Sequence, residues 1–210
     1  MMVSEVESRI EVFLKRCVWH TSYIILPDMT GKRRLNNKFR FQLLQMWLTE
    51  RYEPAKVLDV GGGKGLLSLL LNKNGWDATV VDPAVTDYLT KYKDMETGKR
   101  VVLKDGEIES FKRIYGTFKP EMTKDFDLLI GLHAHGSNLQ IIDACKKYGR
   151  DFLLLPCCVI DEPLVKRPDI NWLESLIGYA KKKGFEVKRD NLNFKGQNAL
   201  IYTDRCLVQK

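Results

Sequence analysis

A chain of 210 residues can bury one hydrophobic core of ordinary size, and its 44% hydrophobic and 29% charged content is that of a globular domain. No apolar run approaches the roughly 20 residues that cross a bilayer, and five cysteines without repeated spacing (Cys17, Cys145, Cys157, Cys158 and Cys206) exclude a disulfide framework. The net charge of +7, with a pI of about 9.1, favours a polyanionic partner such as RNA or DNA.

The opening stretch MMVSEVESRIEVFLKRC alternates acid, base and apolar residues and has no signal-peptide core, so the expected location is cytoplasmic. Val6, Ile10, Phe13, Leu14, Cys17 and Val18 fall at helical spacing, and so do Leu35, Phe39, Leu43, Met46 and Trp47. Between them lies the loop PDMTGKRRLNNKFR. Residues 1–53 therefore read as a helical, basic extension. Lys15, Arg16, Lys32, Arg33, Arg34, Lys38 and Arg40 concentrate there. Bases clustered ahead of a catalytic domain suit phosphate binding, which makes Lys32, Arg33, Arg34, Lys38 and Arg40 candidate substrate contacts. The plainer reading is a solvated helix face whose apolar side, with Phe39, Phe41 and Trp47, docks on the sheet.

After Pro54 the texture changes, and residues 54–210 read as a second domain. KVLDV is a short buried strand, KGLLSLLLNKNG a helix ending near Gly75, and DATVVD the next strand. RVVLKD is expected as the third strand and DFDLLIGLH as the fourth. SNLQIIDACKKYG then begins with a capping box, Ser137 with Gln140, and stops at Gly149. DFLLLP is a fifth strand, and a helix spans residues 169–184. Its Lys181–Lys183 run suits a helix C-terminus. FEVKRD and NALIYTD close the chain as an antiparallel pair. Strands alternating with helices predict a seven-stranded, mostly parallel sheet covered on both faces. Ligands of such sheets bind at the carboxyl ends of the strands, near the point where strand order reverses.

The residues after the first strand read DVGGGKG. A phosphate-binding loop G-x-x-x-x-G-K-[ST] fails here, because Gly65 stands in place of the hydroxyl residue and Leu58 in place of the first glycine. A dinucleotide fingerprint G-x-G-x-x-G fits Gly61 and Gly63 but meets Leu66 at its third position. The remaining pattern, Asp59, Gly61, Gly63 and Gly65, resembles the first motif of class I S-adenosylmethionine-dependent methyltransferases. Glycines there let backbone approach the methionine part of the cofactor, which brings Gly62 into the same contact. The acid at the strand end can meet the cofactor's cationic amino-acid portion.

That resemblance implies a Rossmann-like fold, S-adenosyl-L-methionine as cofactor and acids at the following strand ends. Asp82 follows Gly61 by 21 residues and would accept the ribose hydroxyls. Asp105, with Glu107 behind it, would accept the adenine amino group. Leu132, closing the fourth strand, joins the cofactor contacts.

The acceptor side falls after the fourth strand, in LLIGLHAHGS. The Asn- or Asp-Pro-Pro-aromatic motif of amino methyltransferases is absent from it. His133 and His135, two residues apart, would point to one side of an extended segment, and neutral imidazole is a competent base near pH 7. After the fifth strand, PCC brings Cys157 and Cys158 close to that pair. Packing, a nucleophile toward a pyrimidine carbon and zinc ligation all stay open for them. GLHAHG followed by PCC is similar to a methyltransferase group with His-x-Cys-Gly and Cys-Cys motifs that includes tRNA ribose methyltransferases. This chain departs from it by placing His135 where Cys is usual. The sequence thus points to an S-adenosylmethionine-dependent methyltransferase of RNA, tRNA or rRNA, with His133, His135 and Cys157 at the reacting centre. The alternatives are a small-molecule methyltransferase lidded by the N-terminal helices and a non-catalytic cofactor-binding subunit.

Overall fold

The computed structural model describes residues 34–84, 89–109, 112–134, 136–156 and 171–210. Helix α1 (Arg40–Arg51) follows a 3-10 turn at Asn37–Phe39, which Asn36 caps by accepting a bond from the Lys38 amide at 3.0 Å. Strand β1 (Lys56–Val60), helix α2 (Leu66–Lys73) and strand β2 (Asp77–Asp82) come next. A hairpin of β3 (Lys91–Lys93) and β4 (Arg100–Val102), the short helix α3 (Asp105–Glu109) and β5 (Lys112–Tyr115) follow. Strand β6 (Leu128–Leu132), helix α4 (Asn138–Tyr148), β7 (Asp151–Leu155), helix α5 (Trp172–Lys182), β8 (Lys188–Asn191) and β9 (Ala199–Tyr202) complete the chain.

Seven strands form one sheet in the order β5-β2-β1-β6-β7-β9-β8. All are parallel except β9, which runs antiparallel between β7 and β8. The chain leaves β1 toward β2 and β5, then returns to the other side of β1 with β6. Strand order therefore reverses at β1 and β6, and their carboxyl ends are where a ligand crevice forms.

The central strands read as continuous apolar runs because both faces are covered. On one face Val57, Leu128 and Ile130 pack against Leu44 and Leu48 of α1 and Leu67 and Leu71 of α2. On the other, Leu58, Leu129, Phe152 and Leu154 meet Ile141 and Ile142 of α4 and Leu176 and Ala180 of α5. Each large apolar side chain buried this way contributes roughly 1.5–3 kcal/mol. Helix α1 belongs to the same compact unit as the sheet, a unit that begins at Arg34. Its Trp47 donates Nε1–H to Asp190 of β8 at 2.7 Å and sets its ring edge-on to Tyr202, with centroids 4.9 Å apart. Packing thus accounts for Trp47, and it half-buries Phe39 and Phe41 against the same core.

Two expectations are corrected. RVVLKD does not supply the third strand of the sheet: only Arg100–Val102 is extended, and it pairs antiparallel with Lys91–Lys93 in a separate ribbon. The strand beside β2 is KRIY, residues 112–115. It is an edge strand, exposed at Lys112 and Tyr115, so it carries no buried run to mark it. The capping box is not made either. Ser137 does precede α4, but its backbone is near the α region (φ −111°, ψ −10°) and its side chain makes no capping bond. A hydroxyl cap needs an extended residue there. Gly149 does close α4 in the left-handed conformation at φ 65°.

Candidate functional site

The loop from Gly61 to Gly65 leaves the carboxyl end of β1 at the strand-order reversal. Gly61, Gly63 and Gly65 have φ of 68°, 54° and 80°, the left-handed region that residues with a Cβ enter at a cost. The loop is pinned from several sides. Gly61 donates its amide to Val81 of β2 at 2.8 Å, and Gly65 donates to Gly62 at 2.9 Å. Gly65 accepts the amide of Leu69 at 3.0 Å and so opens α2. Across the crevice the turn after β6 comes close: a Cβ on Gly61 would sit 3.3 Å from that of Ala134.

Under the loop lies Asp59, 1% exposed. Its Oδ2 accepts the Ser68 hydroxyl of α2 at 3.2 Å. Burial is the main force that pushes its carboxyl up to about 7; the Ser68 bond opposes the shift, the Asp82 charge adds to it and Arg113 opposes it. At the end of β2, Asp82 is 8% exposed and uses both oxygens on backbone. Oδ2 accepts the Gly63 amide and Oδ1 the Ala84 amide, each at 2.8 Å. Each carboxylate oxygen keeps a second lone-pair site.

Arg113 of β5 is a residue that sequence reasoning missed, because its strand was missed. Its Nη2 donates to the Gly63 carbonyl, so Asp82 and Arg113 hold that residue's amide and carbonyl respectively. Its Nε and Nη1 are buried and have no hydrogen-bond partner among the described residues.

The remaining sequence candidates divide. Leu132 ends β6 and is 6% exposed, within the core. His133 follows it with φ 60°, the one non-glycine residue in the left-handed region among those described, and donates its amide to Leu155 at 3.2 Å. Backbone held there concentrates at functional sites. Asp105 is not at a strand end; it is exposed and begins α3. Glu107 is tied to Lys73 at 2.7 Å and to the Lys104 amide at 2.9 Å. Arg34 and Lys38 are exposed, whereas Arg40 is half-buried, donates to the Asn37 carbonyl at 3.3 Å and lies 4.3 Å from the Phe41 ring centroid. His135, Cys157, Cys158, Lys32 and Arg33 lie outside the described residues. So do Lys15, Arg16 and Cys17. No cluster of metal-ligating side chains occurs among the described residues, and none of their helices is long and apolar enough to cross a membrane.

No family model matches the chain. It is 27% identical over 155 residues to "Probable tRNA (uracil-O(2)-)-methyltransferase" of Caenorhabditis elegans, a match covering 67% of this chain and 26% of that protein. It is 32% identical over 106 residues to the protein of the same name from Caenorhabditis briggsae, covering 50% of this chain and 18% of that one. The chain thus spans about a quarter or less of the length of the curated relatives it matches. Among solved structures, the glycopeptide N-methyltransferase MtfA complexed with (S)-adenosyl-L-homocysteine superposes with a TM-score of 0.50 at 11% identity, over 85% of this chain and 92% of that one. The strand order, the antiparallel β9 and this superposition together define a Rossmann-like methyltransferase fold.

Proposed function

We propose that this chain is an S-adenosyl-L-methionine-dependent methyltransferase acting on RNA. The observation that carries the reading is the three-glycine loop at the strand-order reversal, folded over the buried Asp59 and clamped by Asp82. The residues present fit the cofactor. Asp59 is opposite in charge to an amino-acid ammonium and a sulfonium. Asp82 retains lone pairs for ribose hydroxyls. Arg113 adds buried N–H donors beside the loop. The cofactor would supply an electrophilic methyl group; Asp59, Gly61, Gly62, Gly63, Gly65, Asp82 and Leu132 would hold it. Asp105 is left out because its strand-end position is not realised.

RNA as acceptor is supported by the names of the matched relatives, which specify tRNA and uracil-O(2), and by the basic surplus of +7. His133 and His135 would position or deprotonate the acceptor, with Cys157 lining the pocket. Arg34 and Lys38, both exposed, remain candidate phosphate contacts, with Lys32, Arg33 and Arg40.

Incubation with methyl-labelled cofactor and total tRNA, followed by nucleoside analysis, is expected to place label in a methylated nucleoside of the RNA. Label in small molecules with none in RNA would leave the fold reading intact and refute the acceptor. A narrower expectation concerns Asp82→Asn. The amide keeps one acceptor oxygen but presents an N–H in place of the other, so one ribose hydroxyl would lose its acceptor, a loss of about 1 kcal/mol. Cofactor affinity measured by calorimetry should fall roughly fivefold. Unchanged affinity would remove Asp82 from the site.

A further inference from the structure

We propose that the β3–β4 hairpin is an RNA-binding surface, on which Lys91, Lys93 and Arg100 form a basic ladder that holds the phosphate backbone of the substrate. The proposal rests on the RNA reading above and adds where the RNA lies. The ribbon is inserted between β2 and β5 and is no part of the main sheet. Its register pairs Lys91 with Val102, Tyr92 with Val101, and Lys93 with Arg100. Successive side chains of a strand alternate between faces. Tyr92 packs against the small cluster of Leu69, Val80, Leu89 and Leu103, and Val101 is half-buried. Lys91, Lys93, Arg100 and Val102 are exposed on the opposite face, Val102 at 69%.

The exposed face is poorly explained by stability. Lys93 stands directly opposite Arg100, and like charges so placed are destabilising. A lone two-stranded ribbon is marginal to begin with. None of Lys91, Lys93, Lys99 or Arg100 makes an ion pair with an acid among the described residues, although Lys73 and Lys112 nearby pair with Glu107 and Asp77. Of the two acids in the turn, Asp94 is spent internally, its Oδ1 accepting the Thr97 amide at 2.7 Å and its hydroxyl at 2.6 Å, while Glu96 is exposed and lies outside the paired strands.

The ribbon is nonetheless held firmly. Gln42 of α1 is 6% exposed and bonds the backbone on either side of Asp94, where β3 enters the turn. It donates Nε2–H to the Lys93 carbonyl at 2.8 Å and accepts the Met95 amide at 2.7 Å. Gln42 lies four residues after Lys38, so its bonds tie the ribbon to the first turn of α1. Lys91 and Lys93 project about 6.7 Å apart along the strand, comparable to the separation of successive phosphates on an extended strand. A fixed face that carries three cations beside Val102 suits a backbone of regular charge. A phosphodiester chain would also neutralise the Lys93–Arg100 repulsion.

The test uses the full chain with Lys91→Gln, Lys93→Gln and Arg100→Gln combined. The triple variant removes the repulsion, so its melting temperature should equal or exceed that of the wild type. Binding of total tRNA is measured by fluorescence anisotropy over a series of salt concentrations, and cofactor binding by calorimetry. The expected result is a Kd for tRNA raised at least tenfold and a log–log salt slope reduced by about 2–3, with cofactor affinity unchanged. Wild-type and variant chains that bind tRNA with the same Kd and slope would overturn the ladder and leave the RNA reading standing, with an acidic protein surface as the alternative partner. A wild-type chain that neither binds nor methylates RNA would overturn both.

Discussion

Gly62→Ala is expected to lower cofactor affinity ten- to a hundredfold, and Gly63→Ala, one residue on, much less. The two glycines are needed for different reasons. A Cβ on Gly62 would stand 2.5 Å from Oδ2 and 2.6 Å from Cγ of Asp59. That carboxyl is 1% exposed and bonded to Ser68, so it has nowhere to move. Either the loop lifts away from β1 or Asp59 is displaced. Overpacking of this kind costs about 1–3 kcal/mol, and the loop that bears the cost is the one that would cradle the cofactor. At Gly63 a Cβ would meet nothing within 4 Å, and the burden is only the left-handed φ of 54°. That is worth about 1–2 kcal/mol of backbone strain, offset by the bonds from Asp82 and Arg113 that hold Gly63 at both its amide and its carbonyl. Calorimetric titration with S-adenosyl-L-methionine, set beside the melting temperature of each variant, separates loop distortion from global unfolding. Equal losses in the two variants would mean that conformational strain alone governs the loop.

The contrast between these glycines bears on what the sequence could convey. The motif is legible because three glycines at alternate positions, directly after a buried strand, have few uses other than a tight turn against a ligand. Its reason is not legible: nothing in DVGGGKG says that Gly62 rather than Gly63 lies over the acid. The strands β1, β2, β6 and β7 announce themselves because they are buried on both faces and so read as unbroken apolar runs. The edge strand KRIY is solvated at both ends and gives no such signal, whereas RVV imitates a buried strand while serving a surface hairpin. This one exchange removes Asp105 from a strand end and hides Arg113. The acid beneath a glycine loop and the acid after the next strand can be found by counting residues. A guanidinium that reaches the same loop from the edge of the sheet cannot, since its placement depends on a strand pairing with no local signature.

Cofactor binding is expected to strengthen with rising pH up to about 7 and then level off, with Asp59 as the group responsible. Burial holds the Asp59 carboxyl at about 7, with only the Ser68 hydroxyl and the Arg113 charge favouring ionisation. A ligand carrying a sulfonium and an ammonium favours the ionised form, so the bound carboxyl must titrate lower than the free one. Between those two values binding expels a proton, and affinity climbs by up to about tenfold for each pH unit. Above about 7 the carboxyl is ionised in both states and the dependence ends. Protein stability without ligand should move the other way. The unfolded chain ionises Asp59 near pH 4, whereas the folded chain retains the proton to about 7. The folded state therefore binds more protons across that window, and stability falls as pH rises through it, by an amount of order 4 kcal/mol for a group buried this completely. Asp59→Asn should flatten both curves: melting temperature without ligand should lose its decline between pH 4 and 7, and cofactor affinity should lose its rise. Parallel pH profiles for the wild type and Asp59→Asn would place the titrating group elsewhere and leave Asp59 a structural support of the loop.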